Sequence, residues 1–511
     1  MAFLPDEIWE QIFIVFEDHM PSENWWMYGA QIKHEGLKTL RSIALVSRQF
    51  ERVAQRLLYR TLLVEGRDYY GLAQARLLRT LSEQPQLGQH ARDVSIDDDA
   101  GYHYRMGRKL SDTPLRSILG TGLGSLKGRF EPMRSRRRKV SDTYGFGALA
   151  ASYMPHLQLI DCTVHDNHTL LPPMLSGRLG LEVEFLGEPE GQRKAFEDDY
   201  GDEEQTNDKD APNSMGGMYT NYSFPNLTEV RVKTGGCDGA TTVFVIEPIL
   251  LHPTLKRLRT LGINWTGDES SLLKWPDRHS NLQYLDLKEC VIDATGLRSV
   301  LTRCPDLKSL LIEMADFRRE EDREEGSWKV DLSDFGNVLR QLARVLEDFD
   351  IHTLDYKSSN YAEGRIGSLK TLNSLKHLKT DKEDFLGYPS DPDEEVATPA
   401  LRFGEALPPS LETLYLHWGD DYYDEDWREY KRRGVNKEIH SFIVESELYN
   451  LREIRVERYY NETMEGEWDS ELKLDGWDIS VKNEHLWKRY GNSGCMRTVL
   501  VLSKRLPTLV H

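Results

Sequence analysis

The chain has 511 residues, enough for two to four ordinary domains or one long repeat array. Its formal charge of −19 and pI near 5.3 count against a nucleic-acid-binding surface as its main business. The five cysteines (Cys162, Cys237, Cys290, Cys304 and Cys495) form no CxxC pair, which argues for a reducing compartment and against a disulfide scaffold, and no run approaches the ~18 uninterrupted apolar residues of a membrane span.

The predicted elements begin at Leu4. Pro5, Asp6 and Glu7 suit a first helical turn: the missing proline N–H is an orphan there anyway, and acids favour the positive end of the helix dipole. Ile8, Ile12 and Phe16 recur every four residues, with Trp9 and Phe13 beside them. Leu37, Leu40, Ile43 and Ala44 form a second stripe. Ser47 then reads as an N-cap, and Phe50, Val53, Ala54, Leu57 and Leu58 form a third stripe. Three short helices make a marginal core, since a domain of ~60 residues buries only ~60% of its unfolded surface. Yet the apolar positions wrap more than one face of each helix. The surplus is expected to lie against the rest of the chain, as an ordinary helical cap would, or against another protein.

The residues themselves point further. Leu4, Pro5, Asp6, Glu7 and Ile8, then Ile12 and Phe13, then the run Ala44, Leu45, Val46, Ser47 and Arg48 with Phe50, resemble an F-box. The resemblance implies a three-helix module over 1–62 that docks on the small adaptor protein of a cullin–RING ubiquitin ligase, and through it on the cullin. Carried over by position, Leu4, Pro5, Ile8, Ile12, Leu45, Val46, Ser47 and Phe50 are the expected adaptor-binding residues. Two features depart from the family: an insertion over about 19–36, and Phe50 where the family has tryptophan. Met1 to Phe3 run straight into the first helix, with no signal peptide, so the expected compartment is the cytoplasm, the nucleus or both.

Next comes a helical linker over 63–90, with helical spacing from Tyr70 to Ser82. An LxxLxL spacing then recurs: Ala91, Val94, Ile96; Leu227, Val230, Val232; Leu258, Leu261, Ile263; Leu282, Leu285, Leu287; Leu307, Leu310, Ile312; Ile351, Leu354, Tyr356; Leu411, Leu414, Leu416; and Leu451, Ile454, Val456. Leu157, Ile160, Cys162 and Leu375, Leu378 are weaker copies. The spacing is 24 residues from 258 to 282 and 25 from 282 to 307, but 44 from 307 to 351, so the array is expected to be irregular. No such unit can bury its apolar side alone, so neighbours are expected to stack as a solenoid. Cys290, Cys304 and the stretch Gly296 to Leu301 resemble the cysteine-containing type of leucine-rich repeat. Ile366 to Leu369, Leu375 to Leu378 and Leu407 to Leu414 resemble the C-terminal half of fungal F-box proteins with such repeats.

Strand alternation points the intervening side chains to a concave face. These include Arg231 and Lys233; Thr260, Gly262 and Asn264; Tyr284, Asp286 and Lys288; Thr353, Asp355 and Lys357; Tyr415 and His417; and Arg455. Concave faces are where such arrays hold partners. Arg231, Lys233, Tyr284, Asp286, Lys288, Tyr415, His417 and Arg455 are the candidate target-binding residues.

Three segments interrupt the array: an acidic, apolar-poor loop over about 196–220, expected to be disordered; a mixed-charge run from Arg318 to Gly326; and an acidic-aromatic run from Asp420 to Glu429. Gly120 to Gly128 lacks the ending and spacing of a phosphate cradle. Arg134 to Lys139 is a basic run that reads as a solvated loop, with an import signal or phosphate patch as alternatives. Cys162, His165 and His168 lack a second ligand pair for zinc. No nucleophile with base and orienter stands out, so no catalytic residue, metal or cofactor is expected.

The expected fold class is thus α+β with a solenoid: an N-terminal three-helix F-box followed by an irregular α/β leucine-rich-repeat domain over 91–511. The expected function is that of a substrate-recognition subunit of a cullin–RING ubiquitin ligase. The alternative is a repeat scaffold whose F-box-like helices only cap its own array.

Overall fold

The computed structural model describes residues 4–17, 35–64, 72–96, 150–164, 224–234, 240–315, 328–353, 364–387, 401–417, 425–445, 448–458, 468–486 and 495–505, without 152, 272, 274–278, 329 and 470. The long insertion up to residue 34, the acidic loop over 196–220, the glycine-rich and basic runs over 120–139, His165, His168 and the run from Arg318 to Gly326 lie outside these.

Helix α1 (Asp6–Phe13) starts after Pro5, with Asp6 and Glu7 in its first turn, and a 3₁₀ turn (Ile14–Phe16) follows it. Helix α2 (Glu35–Ala44) leads to α3 (Arg48–Leu58), which is capped by Ser47: its hydroxyl oxygen accepts the Phe50 N–H at 3.1 Å. Phe13, Leu40, Val53, Ala54 and Leu57 are buried between these helices. The aromatic rings of Trp9 and Phe13 pack on Phe50, with centroids 4.6 and 5.2 Å away. Helix α3 then runs almost directly into β1 (Thr61–Val64), so Thr61 already belongs to the sheet. Helix α4 (Leu72–Glu83) follows.

The rest is one sheet. Strands β2 (Asp93–Ile96), β3 (Leu159–Val164), β4 (Glu229–Thr234), β6 (Arg257–Leu261), β8 (Tyr284–Ile292), β9 (Ser309–Met314), β10 (Asp348–His352), β11 (His377–Asp381), β12 (Thr413–His417) and β13 (Glu453–Arg458) follow β1 side by side in chain order. All these neighbours pair in parallel. Short strands β5 (Thr241–Thr242) and β7 (Ile263–Trp265) form a side ladder on β8. The sheet ends in an antiparallel pair, β14 (Trp477–Leu486) and β15 (Cys495–Lys504), with β15 lying against β13. The described residues thus form a 15-stranded, mostly parallel sheet.

One local rule builds it. Leu157, Leu227, Leu255, Leu307, Leu346, Leu375, Leu411 and Leu451 each donate their N–H to the carbonyl three residues back, closing a turn just before a strand. All these leucines, and Leu282, are buried. The third and fifth residues after each anchor then point into the core, as Val230 and Val232, Leu285 and Leu287, Phe349 and Ile351, or Leu414 and Leu416 do. Helices α5 (Ala294–Arg303), α6 (Leu332–Leu342) and the longer α7 (Glu425–Glu445) return the chain at three connections. Most other described connections hold only single-turn helices.

The expected fold class is therefore corrected. The chain is an α/β fold on one continuous sheet, and not a three-helix domain joined to an irregular solenoid of strand-and-helix repeats. Its N-terminal helices run on into the first strand, and long return helices are the exception. Sequence spacing reveals where strands lie but not what they pair with; here the strands of the main parallel run pair one after another in chain order, and β1 starts inside the segment assigned to the helical domain.

The register of two units is corrected as well. Leu258 pairs with Val230 and Leu285, and Phe349 with Leu310. The units therefore begin at Leu255 and Leu346, and not at Leu258 and Ile351. Thr260 and Asn264, expected outside, are buried, and Gly262 sits at φ +73° in the kink between β6 and β7, where a side chain would be strained. Thr353 is buried and hydrogen-bonds Asp384. Asp355 and Lys357 lie outside the described residues.

Candidate functional site

Two surfaces stand out. The first is apolar and lies on the N-terminal helices. Ile8 and Ile12 share one side of α1, while Leu45 and Val46 form the turn between α2 and α3. Leu45 is 88% exposed and Val46 69%, while Leu4, Ile8 and Ile12 stand at 40–44%. Pro5 and Ser47 are exposed too. Gln49 joins the two parts: its side-chain amide donates to the Leu4 carbonyl at 2.8 Å and to Asp6 Oδ1 at 3.1 Å. That bond sets the α2–α3 turn beside the start of α1. The Arg52 guanidinium adds two donations to the Asp6 carboxylate, at 2.6 and 2.8 Å. These bonds from Arg52 and Gln49 lower the Asp6 carboxyl to about 2. Phe50, expected at the adaptor surface, is half-buried and packs inward on Trp9 and Phe13. Ile14 and Val15, which sequence reasoning did not nominate, are exposed beside this surface, Val15 at 74%.

The second surface is the face of the sheet opposite the core. Expected to be polar with mixed charges, it holds a ladder of ion pairs, some across neighbouring strands and some within one strand. Lys233 meets Asp161 at 3.0 Å, and Arg231 meets Glu229 at 2.7 Å; both cations are buried. Lys288 meets Glu313 at 2.5 Å, and Arg455 meets Glu453 at 2.7 Å. Tyr284 lies under the Arg257 guanidinium, 4.6 Å from ring centroid to charge. Asp286 is the register partner of Arg259. Near the far end, His417 sits between Asp350 and Glu457, 3.3 Å from each, and the Tyr415 hydroxyl donates to Glu457 at 2.8 Å. The His352 ring packs edge-on against His417. Burial alone would lower the His417 pKa, but the hydrogen bonds with the two carboxylates outweigh it and raise it to about 9. Burial works against the Asp350 charge in the same way, and the contacts with His417 and Lys379 overcome it, holding Asp350 well below the usual carboxylate range.

Sequence reasoning missed Arg257 and Arg259, because the register was set three residues late. A signal was available. Proline stands two residues before the anchor at Leu157, Leu227, Leu307 and Leu411, and Pro253 stands two before Leu255. Cys162, Cys290 and Cys304 are buried free thiols, with burial pushing Cys304 up to about 12. Such thiols are packed and unreactive at neutral pH. Among the described residues no group of three His, Cys, Asp or Glu side chains could hold a metal ion, and no helix is long and apolar enough to cross a membrane.

No family model matches the chain, and no curated protein matches it. Fold and surfaces define a class all the same: an α/β protein of one long parallel sheet with an ionic open face and an uncovered apolar patch at its N-terminal end.

Proposed function

We propose that the chain is a receptor subunit of a cullin–RING ubiquitin ligase. The adaptor docks on the N-terminal apolar face, and the open face of the sheet receives the target protein. One observation carries this best: Leu4, Ile8, Ile12, Leu45 and Val46, the residues through which the chain resembles an F-box, are large apolar side chains left uncovered by the rest of the chain. A helical cap that served only its own sheet would turn them inward. Contiguous exposed apolar residues on a folded chain mark an interaction site. The Asp6, Gln49 and Arg52 bonds hold the two halves of the patch in one arrangement before any partner arrives, which lowers the ordering cost of docking.

The mechanism is positional. A receptor that binds adaptor and target at once raises the local concentration of target lysines near the ubiquitin-carrying enzyme. No group of this chain need then make or break a bond. The buried free thiols suit a reducing compartment, cytoplasm or nucleus.

Co-expression with the ligase adaptor tests the proposal. Retention of the adaptor through purification supports it, and its absence leaves an interaction scaffold with no role in ubiquitin transfer.

A further inference from the structure

We propose that the chain pairs with a second copy of itself through β14, the last strand of the sheet, in an antiparallel arrangement centred on Ser480. The inference goes beyond the ligase reading and does not depend on it.

Among the described residues β14 has a strand on one side alone, β15, and ends the sheet opposite β1. It runs ten residues in unbroken register, from Trp477 opposite Lys504 to Leu486 opposite Cys495, with no bulge and no proline. Such an edge is a template for another strand. The direction of its backbone groups follows from its neighbours. Lys504 donates its N–H to the Arg452 carbonyl, just before β13, and Arg505 donates to the Gly476 carbonyl, just before β14, at 2.7 Å. Along an antiparallel ladder this direction alternates from residue to residue. The even-numbered residues of β14 therefore bond to β15, while Ile479, Val481 and Asn483 turn their N–H and C=O groups to the open edge.

The side chains select the strand that fits. Ile479 and Val481 lie opposite Leu502 and Leu500, which are buried in the core, yet stand 36% and 41% exposed. The apolar face of the sheet thus runs on past its last covered strand. On the other face Asp478, Ser480 and Lys482 are exposed. Charges on an edge ordinarily keep strands apart, but these are complementary to themselves. A two-fold axis at Ser480 sets Asp478 of each copy opposite Lys482 of the other, and Ile479 opposite Val481. Each contact then occurs twice, as an isologous interface requires, and apolar and opposite-charge pairs across strands both stabilise. The backbone agrees with this axis, since Ile479 and Val481 both face the open edge and can exchange two hydrogen bonds. Asp478 Oδ1 already meets Arg505 Nε at 2.7 Å, but its side chain remains 66% exposed. A carboxylate offers about four lone-pair sites, so it can hold Lys482 as well. Axes at Ile479 or Val481 also suit the backbone, but they set Lys482 opposite Gly476 or Ser480 and give it no anion. The N-terminal apolar patch belongs to the helices that lead into β1, at the other end of the sheet, so this pairing leaves it open on both copies.

The test is sedimentation of the full chain from micromolar to near-millimolar concentration. The expected result is a reversible equilibrium of monomer and dimer. Lys482→Asp and Asp478→Lys should each weaken the dimer at least tenfold, since each sets like charges opposite one another twice. An equimolar mixture of the two variants should dimerise again, because the mixed pair has opposite charges at both crossings. Damage to the fold, or loss of the Arg505 contact alone, would not give that rescue. Ser480→Cys should form a disulfide between copies on mild oxidation, since facing residues in a non-hydrogen-bonded pair lie about 4.5 Å apart at Cα. Monomers at every concentration overturn the proposal and leave the edge to a strand of another protein. A dimer that both variants form as well as wild type, or a mixture that stays monomeric, also overturns it. Growth beyond the dimer would put β14 on β1 of the next copy and overturn the closed pairing.

Discussion

The Arg52 guanidinium grips the Asp6 carboxylate through two hydrogen bonds of 2.6 and 2.8 Å, pinning the third helix to the first turn of the first. The contact spans 46 residues of sequence and crosses the segment between α1 and α2. Asp6 stands between Leu4 and Ile8 in the chain, and Gln49 ties it and the Leu4 carbonyl to α3, so the contact helps set the shape of the apolar patch. Asp6→Asn is expected to leave the sheet intact and to loosen α1 from α3, with faster amide exchange in residues 6–13. The folded-state carboxyl, at about 2, lies below its ordinary 3.8. A depressed acid contributes stability that is full above pH ~4 and fades as pH falls towards 2. Wild-type α1 protection should therefore decline over that window, and Asp6→Asn should flatten the decline. An unchanged exchange profile in the variant would show that the fork does not hold the patch.

His417 carries the opposite sign. Its folded value of about 9 lies above the ordinary 6.5, so its protonated form favours the native state. That contribution is complete below pH ~6.5 and is lost as pH rises through 9. Melting temperature should fall between pH 6.5 and 9 more steeply in wild type than in His417→Gln. The variant also leaves Asp350 and Glu457 without their shared cation, which should cost on the order of 3–5 kcal/mol at neutral pH. Thermal melts from pH 6 to 9.5 check both statements; parallel curves for the two proteins would contradict them.

Asp293 ties two helices together. It accepts the Gly296 N–H at 2.7 Å at the start of α5, and also the Gly267 N–H at 3.0 Å at the start of the preceding short helix. Asp293→Ala should cost about 1–2 kcal/mol for its own cap, and more for the second. Gly296 itself has no room for a side chain, since an added Cβ would fall 1.6 Å from the Trp265 carbonyl oxygen. Gly296→Ala should therefore destabilise by roughly 1–3 kcal/mol through forced backbone shifts. Denaturant unfolding measures both, and a neutral Gly296→Ala would mean that the helix can move away from Trp265 freely.

Much of the sheet was legible in the sequence, and the limits are instructive. Leu227, Leu282, Leu307, Leu411 and Leu451 anchor their units as expected, because leucine at the anchor and apolar residues three and five later leave one consistent register. At Leu255 two registers fitted, since Leu258, Leu261 and Ile263 imitate a unit of their own; the true sixth position is a threonine, Thr260, which is fully buried. At Leu346 the fourth position is Phe349, which a leucine template passes over. Strand pairing was beyond a one-dimensional pattern, and with it the fact that β1 joins the N-terminal helices to the sheet. The charge ladder was partly hidden for the same reason: alternation marks Arg231 and Lys233 as facing outward and sets Glu229 beside Arg231 on the same strand, but only the neighbouring strand brings Asp161 against Lys233. The apolar patch residues were nominated by resemblance, and Phe50 turned inward because Trp9 and Phe13 give it a ring-lined seat.

The most direct test of the central proposal is the affinity of the purified chain for the ligase adaptor, measured by calorimetry for wild type and for Leu45→Asp with Val46→Asp. These two side chains are the most exposed of the patch residues, so charging them should not disturb the fold, which circular dichroism verifies. Full burial of such a side chain contributes roughly 1.5–3 kcal/mol, so the double change should weaken binding at least a hundredfold. A complex formed by wild type and lost in the folded variant is the predicted result. A wild-type chain that binds no adaptor, or a variant that binds as tightly as wild type, would contradict the account.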